Sequence, residues 1–121
     1  MKILVVDDSK FARASLINIL NELVDNLEVF QGTNGLEGLN LYKENSPDIV
    51  FLDLTMPVMS GFDALDEIIA YNQKAVVIII TADIQTKAKE KVKKSGAKLM
   101  LQKPVKIDTL RAILEDFTNG H

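Results

Sequence analysis

Five short runs of strand-forming residues divide this chain at nearly even intervals: residues 3–6, 27–30, 49–52, 75–80 and 98–102. The runs at 3–6, 49–52 and 75–80 carry no alternating polar residue, so each reads as a strand buried on both faces. The run at 27–30 is weaker, because Glu28 alternates outward as it would at a sheet edge. Between the runs, apolar residues recur at helical spacing. Leu16, Leu20 and Leu23, with Ile17 and Val24, stripe a first helix that Asp8 or Ser9 can cap and Asp25-Asn26 ends. After a turn at Gly32-Thr33-Asn34-Gly35, Leu36, Leu39 and Tyr42 mark a second, which stops before Ser46-Pro47. Phe62, Leu65, Ile68 and Ile69 mark a third. Ile84, Ala88 and Val92 mark a fourth over residues 84–95, with Asp83 as its cap and Gly96 closing it. Ile107, Leu110, Ile113, Leu114 and Phe117 mark a fifth, fraying at Asn119-Gly120.

Strand and helix therefore alternate five times with short connections. Such alternation predicts an α/β fold: a parallel sheet, right-handed crossovers and helices on both faces. With the first strand near the middle, the order is 2-1-3-4-5, the flavodoxin-like (βα)5 arrangement. A chain of 121 residues fits one domain, 1–121.

Composition narrows the function. Cysteine is absent, which excludes disulfides and thiolate metal sites. A net charge of -3 makes nucleic acid and anionic membranes poor default partners. The apolar stretch 75–80 is too short to span a bilayer, and the N-terminus runs into Asp7 after four apolar residues, unlike a signal peptide. A cytoplasmic protein is expected.

In a parallel sheet all carboxyl ends lie along one edge. The first strand ends in Asp7-Asp8, the third in Asp53, the fourth in Thr81 and the fifth in Lys103. The first and third strands are neighbours in this order, and the crevice between them is the switch point where ligands bind. Three carboxylates, a hydroxyl and an ammonium thus converge from distant parts of the chain. Close carboxylates repel, and one lysine offsets one charge; the remainder calls for a divalent cation or raised pKa values. An all-oxygen site suits Mg²⁺. Asp53 can then attack phosphorus to give an aspartyl phosphate, a reaction that needs little beyond in-line positioning and charge neutralisation.

Plainer readings explain less. A helix cap accounts for one of Asp7 and Asp8, not both. Thr81 could cap the fourth helix, and Asp53 could be a solvated strand end were it not for its partners. Lys87, Lys89, Lys91, Lys93 and Lys94 read as a solvated helix face rather than a nucleic-acid patch, because no aromatic interleaves them and Glu90 interrupts them.

The ordered set resembles the receiver domain of two-component response regulators. The resemblance spans essentially the whole chain. It rests on Val5-Val6-Asp7-Asp8-Ser9, on Pro47 through Asp53-Leu54-Thr55-Met56-Pro57 with Gly61, on Thr81-Ala82 and on Lys103-Pro104. It implies that Asp53 is the phosphoacceptor for a histidine kinase or histidine phosphotransfer protein. It implies Mg²⁺ held by Asp8, Asp53 and the Thr55 backbone carbonyl, with Asp7 acting through water. Lys103 would bind the phosphoryl group, Thr81 would swing towards it as the switch, and the Lys103-Pro104 bond would be cis. One position departs from the pattern. Met100 stands where most of the family has an inward-turning aromatic ring, so the output face of fourth helix, fifth strand and fifth helix lacks its usual reporter. Gly38 in mid-helix also calls for close packing.

The expected function is a stand-alone, chemotaxis-regulator-like module whose phosphorylation switches its binding to a partner protein. It would accept and lose phosphate autocatalytically without acting on free metabolites, and would not bind DNA. A phosphatase of the haloacid dehalogenase type fits less well, since Asp53-Leu54-Thr55 lacks the second acid of a D-x-D pair. A flavin-binding protein needs a phosphate-cradling loop where Asp7-Asp8 stands. A receiver that binds partners without phosphorylation would not need the full set.

Overall fold

The computed structural model describes residues 1–82 and 85–119. Ten elements alternate along it: β1 (Lys2–Val6), α1 (Lys10–Leu23), β2 (Glu28–Gly32), α2 (Gly35–Asn45), β3 (Ile49–Leu52), α3 (Gly61–Tyr71), β4 (Val77–Thr81), α4 (Thr86–Lys94), β5 (Leu99–Gln102) and α5 (Ile107–Thr118). The strands form one parallel sheet in the expected order, β2-β1-β3-β4-β5.

The unbroken apolar runs follow from the layers. Side chains alternate across a strand. Leu4, Val6, Val50, Leu52, Val77 and Ile79 face α2, α3 and α4, where Leu39, Tyr42, Leu65, Ile68 and Val92 meet them. Ile3, Val5, Ile49, Phe51, Ile78 and Ile80 face α1 and α5, against Leu16, Leu20, Leu110 and Leu114. A one-residue slip would exchange the two sets, so two-sided burial pins the register that aligns the strand ends.

Boundaries shift where the backbone, not the side chains, decides them. The second strand runs two residues past the expected 27–30, because Gly32 pairs with Val6 and accepts the Asp7 N–H at 3.1 Å. The fourth strand starts later than 75 and includes Thr81, whose carbonyl accepts the Lys103 N–H at 2.9 Å. Of the expected fourth helix, Thr86–Lys94 is seen; Asp83, its expected cap, and Ile84 lie outside the described residues, as do Gly120 and His121. Ser9 caps α1 by accepting the Ala12 N–H at 3.2 Å.

The second helix corrects one expectation. Leu36 is exposed, and the buried face is Gly35, Gly38, Leu39 and Tyr42. Gly38 brings α2 close to the sheet, and Gly35 brings it close to Met59 in the loop after β3. A Cβ at Gly38 would stand 2.8 and 3.0 Å from the two methyls of Val6. Gly38→Ala therefore sets a helix-propensity gain of about 1 kcal/mol against overpacking of about 1–3 kcal/mol on a branched core side chain that cannot turn aside. Urea denaturation should show a net loss of about 1 kcal/mol, partly recovered by Val6→Ala. A Gly38→Ala protein more stable than wild type would refute this account.

Candidate functional site

Val6 and Leu52 pair in the β1–β3 ladder, so the residues that follow them emerge side by side. The Asp53 N–H donates to the Val6 carbonyl at 3.0 Å, which carries the ladder one step further. Asp7 and Asp53 are buried, 6% and 7% exposed, while Asp8 is exposed. Carboxylate oxygens of all three lie within 4.8 Å of one another.

Each buried carboxylate is partly satisfied by the chain. Asp7 accepts the Ser9 N–H on Oδ1 at 2.9 Å and the Lys103 ammonium on Oδ2 at 2.6 Å. Asp53 accepts the Leu54 N–H on Oδ1 at 2.9 Å, and its Oδ2 lies 3.7 Å from Lys103 Nζ. Burial pushes the Asp53 carboxyl above the usual carboxylate range; Lys103 pulls it back, Asp7 pushes it up further, and the Leu54 N–H and Asp8 act more weakly in opposite directions. With all four groups ionised, the cluster carries two negative charges more than its lysine cancels.

Lys103 arrives from the end of β5, on a cis Lys103–Pro104 bond. Thr81 is the buried last residue of β4, two beyond Ile79, which pairs with Leu52. Thr55 is exposed in the loop that leaves Asp53. The strand ends thus bring Asp7, Asp8, Asp53 and Lys103 into one cluster. Met100 is half-buried and packs into the α2–α4 layer.

The donor set fits a hard divalent cation. It is all oxygen, mixes one exposed and two buried carboxylates, and has a charge excess that the chain leaves unneutralised. Both Asp7 oxygens accept hydrogen bonds, from Ser9 and Lys103, whereas Lys103 stands 3.7 Å from Asp53 Oδ2 and Asp8 is exposed, so Asp8 and Asp53 could each offer an oxygen to such a cation.

Three supports were not foreseen from the sequence. Arg13 donates from Nη1 to the Asp7 carbonyl at 2.7 Å and from Nε to Gln31 at 3.0 Å, tying α1 to the β1 end. A surface arginine gives no such signal in one sequence. The loop after Asp53 carries Val58 and Met59 at φ 56° and 62°, backbone that side chains other than glycine rarely adopt and that is most strained at the β-branched Val58. Glycines clamp that loop at both sides: the Gly35 N–H donates to Met59 O at 3.0 Å and the Gly61 N–H to Leu54 O at 2.9 Å. Pro57 and Gly61 mark a turn, but nothing in their spacing reveals the strain.

Comparisons agree with this geometry. Residues 3–115 match the family described as response regulator receiver domain. The chemotaxis protein CheY of Listeria monocytogenes is 40% identical over 115 residues, covering 95% of this chain and 96% of its own. Sporulation initiation phosphotransferase F of Bacillus subtilis is 32% identical, over 96% of this chain and 92% of its own. Among solved structures, the CheX–CheY–BeF3–Mg²⁺ complex from Borrelia burgdorferi superposes with a TM-score of 0.89 at 31% identity, covering 97% of this chain and 89% of that one. No helix among the described residues is long and apolar enough to cross a membrane. With its strand order, its acidic cluster and a match across nearly its whole length, the chain belongs to the receiver-domain family of two-component response regulators, signalling modules that act in systems such as chemotaxis.

Proposed function

We propose that this chain is a phosphorylation-controlled switch, read as a single receiver domain over residues 1–121, in which Asp53 accepts a phosphoryl group and thereby changes affinity for a partner protein. The observation that carries the reading is the pairing of a buried, partly desolvated Asp53 with Lys103, Asp7 and Asp8 at the β1–β3 crevice. The Leu54 N–H holds Asp53 Oδ1, so Oδ2, on the side of Lys103, is the attacking atom. The new O–P bond forms as the P–N bond of a phosphohistidine on a sensor kinase or phosphotransfer protein breaks. Mg²⁺, which Asp8, Asp53 and the Thr55 carbonyl would hold with Asp7 acting through water, supplies neutralisation of the phosphoryl oxygens.

Lys103 then exchanges part of its contact with Asp7 for a phosphoryl oxygen, and Thr81 supplies a hydroxyl from the end of β4. Both lie at the start of segments that lead to α4, β5 and α5, so the two-state response is read on that face. There Met100 repacks where a ring would turn. The protein works in the cytoplasm by protein contact rather than on DNA. Similarity to the chemotaxis protein CheY and to sporulation initiation phosphotransferase F supports an output through protein contact.

Incubation with acetyl phosphate and Mg²⁺, followed by intact-mass measurement, should show a single phosphoryl adduct. Chelation should abolish it. An adduct that forms equally well without divalent metal would overturn the reading.

A further inference from the structure

Between α1 and the Lys103-Pro104-Val105 segment, the carboxyl edge of the sheet opens into a cavity of about 350 Å³. Asp7, Asp53 and Lys103 stand on its wall, and the rest is nearly all hydrocarbon: Leu16, Ile19, Phe51, Ile80 and Val105. The space exists because Ala12 and Ser15, one helical turn apart, present short side chains to it, while Phe11 at the rim is 82% exposed. An apolar cavity of about 150 Å³ is enough to admit benzene, so this one holds a chain of several carbons.

We propose that this cavity receives the apolar tail of a small acyl phosphate, so that the chain takes phosphoryl groups from medium-chain acyl phosphates in preference to acetyl phosphate. The proposal rests on Asp53 being the phosphoacceptor. Charge and shape select the ligand together. One wall carries the carboxylates and ammonium that handle a phosphoryl group with its metal. The remainder rewards only hydrocarbon. A ligand that satisfies both in one small molecule is a phosphoryl donor with an apolar leaving group. The transfer balances without any further reactant: an Asp53 oxygen bonds to phosphorus, the bond from phosphorus to the acyl oxygen breaks, and the electron pair leaves on the fatty carboxylate.

Each methylene that reaches the cavity is worth about fourfold in kcat/KM. The first carbons only span from the leaving oxygen to the rim, so hexanoyl phosphate should exceed acetyl phosphate about tenfold overall. The experiment compares acetyl, butyryl and hexanoyl phosphates on wild type and on Ser15→Leu, reading the hexanoyl-to-acetyl ratio within each protein. The ratio should be about ten in wild type and fall towards one in Ser15→Leu, whose side chain fills the rim. In parallel, hexylphosphonate, which cannot be transferred, should perturb the NMR amide signals of residues 11–19 and of Val105; methylphosphonate should not reach them. A flat chain-length series, or a ratio unchanged in Ser15→Leu, would overturn the proposal while leaving Asp53 as phosphoacceptor. A flat series combined with slower transfer from a phosphohistidine protein to Ser15→Leu would assign the cavity to a side chain of that protein instead. Failure of every donor to modify Asp53 would overturn both readings.

Discussion

Asp53→Asn should abolish phosphorylation and yet leave the metal-free protein more stable than wild type, by about 1–3 kcal/mol at neutral pH. The two effects share one cause. Asp53 is 7% exposed and stands beside Asp7 and Asp8 with only part of one ammonium to offset them. An amide keeps the volume and can still accept the Leu54 N–H, but it carries no charge to desolvate. The pH dependence has a definite sign. Because burial raises the folded-state pKa of Asp53, folding takes up a proton there. That contribution is complete below the unfolded-state value and is lost as pH rises through the raised folded-state value. The stability gap between variant and wild type should therefore be small in acid, widen across that interval and stay level above it. Saturating Mg²⁺ should close or reverse the gap, since a ligand at a hundredfold excess over its Kd adds about 2.7 kcal/mol to the protein that binds it. Urea denaturation with chelator and with Mg²⁺, across a pH series, reads all of this. A variant less stable than wild type in chelator at neutral pH, or a gap that ignores pH, would refute the electrostatic account.

The same cluster marks how much was legible in the sequence. Runs such as Ile49–Leu52 are readable as strands because two-sided burial leaves no polar residue in them, and β–α alternation then dictates the order in which their ends meet. Asp7, Asp8, Asp53 and Lys103 converge for that reason alone. What escaped was set by backbone approach and by rotamers. Leu36 looked like core by spacing, but α2 turns Gly35 and Gly38 inward, against Met59 of the loop after β3 and the Val6 side chain, and leaves Leu36 outside. Lys103 was expected at the phosphoryl site; its ammonium lies 2.6 Å from Asp7 and 3.7 Å from Asp53, a partition no spacing rule contains. Arg13 is one polar residue among several on α1 until the fold lays it under the Asp7 carbonyl. The cavity beside Ala12 and Ser15 is an absence of side-chain volume, which only packing reveals.

Gly61 shows how tightly the backbone around Asp53 is held, and Gly61→Ala should be more damaging than Gly38→Ala. Alanine is the better helix former, and Gly61 opens α3, so propensity alone predicts a gain of up to about 1 kcal/mol. Space decides otherwise. A Cβ there would overlap the Asp53 carbonyl oxygen and stand 2.6 Å from the Leu54 Cα and 2.8 Å from the Asp53 carbonyl carbon. These are backbone atoms, which cannot rotate away as a side chain can. Relief requires the Asp53–Leu54 peptide to move, and with it the Leu54 N–H that fixes Asp53 Oδ1 and the Gly61 N–H bond to Leu54 O. The neighbouring strain at Val58 and Met59 leaves the loop little slack to absorb the shift. Gly61→Ala should therefore lose about 3 kcal/mol, beyond the loss at Gly38, where the obstacle is a side chain. It should also slow phosphorylation of whatever folds by tenfold or more, roughly, because reacting atoms displaced by about 1 Å can cost a hundredfold. Denaturation midpoints and acetyl phosphate kinetics on the folded fraction measure the two effects separately. If Gly61→Ala matched Gly38→Ala in stability and wild type in rate, the loop behind Asp53 would be pliant, and the geometry of the phosphoacceptor would have to be maintained from the Lys103 side.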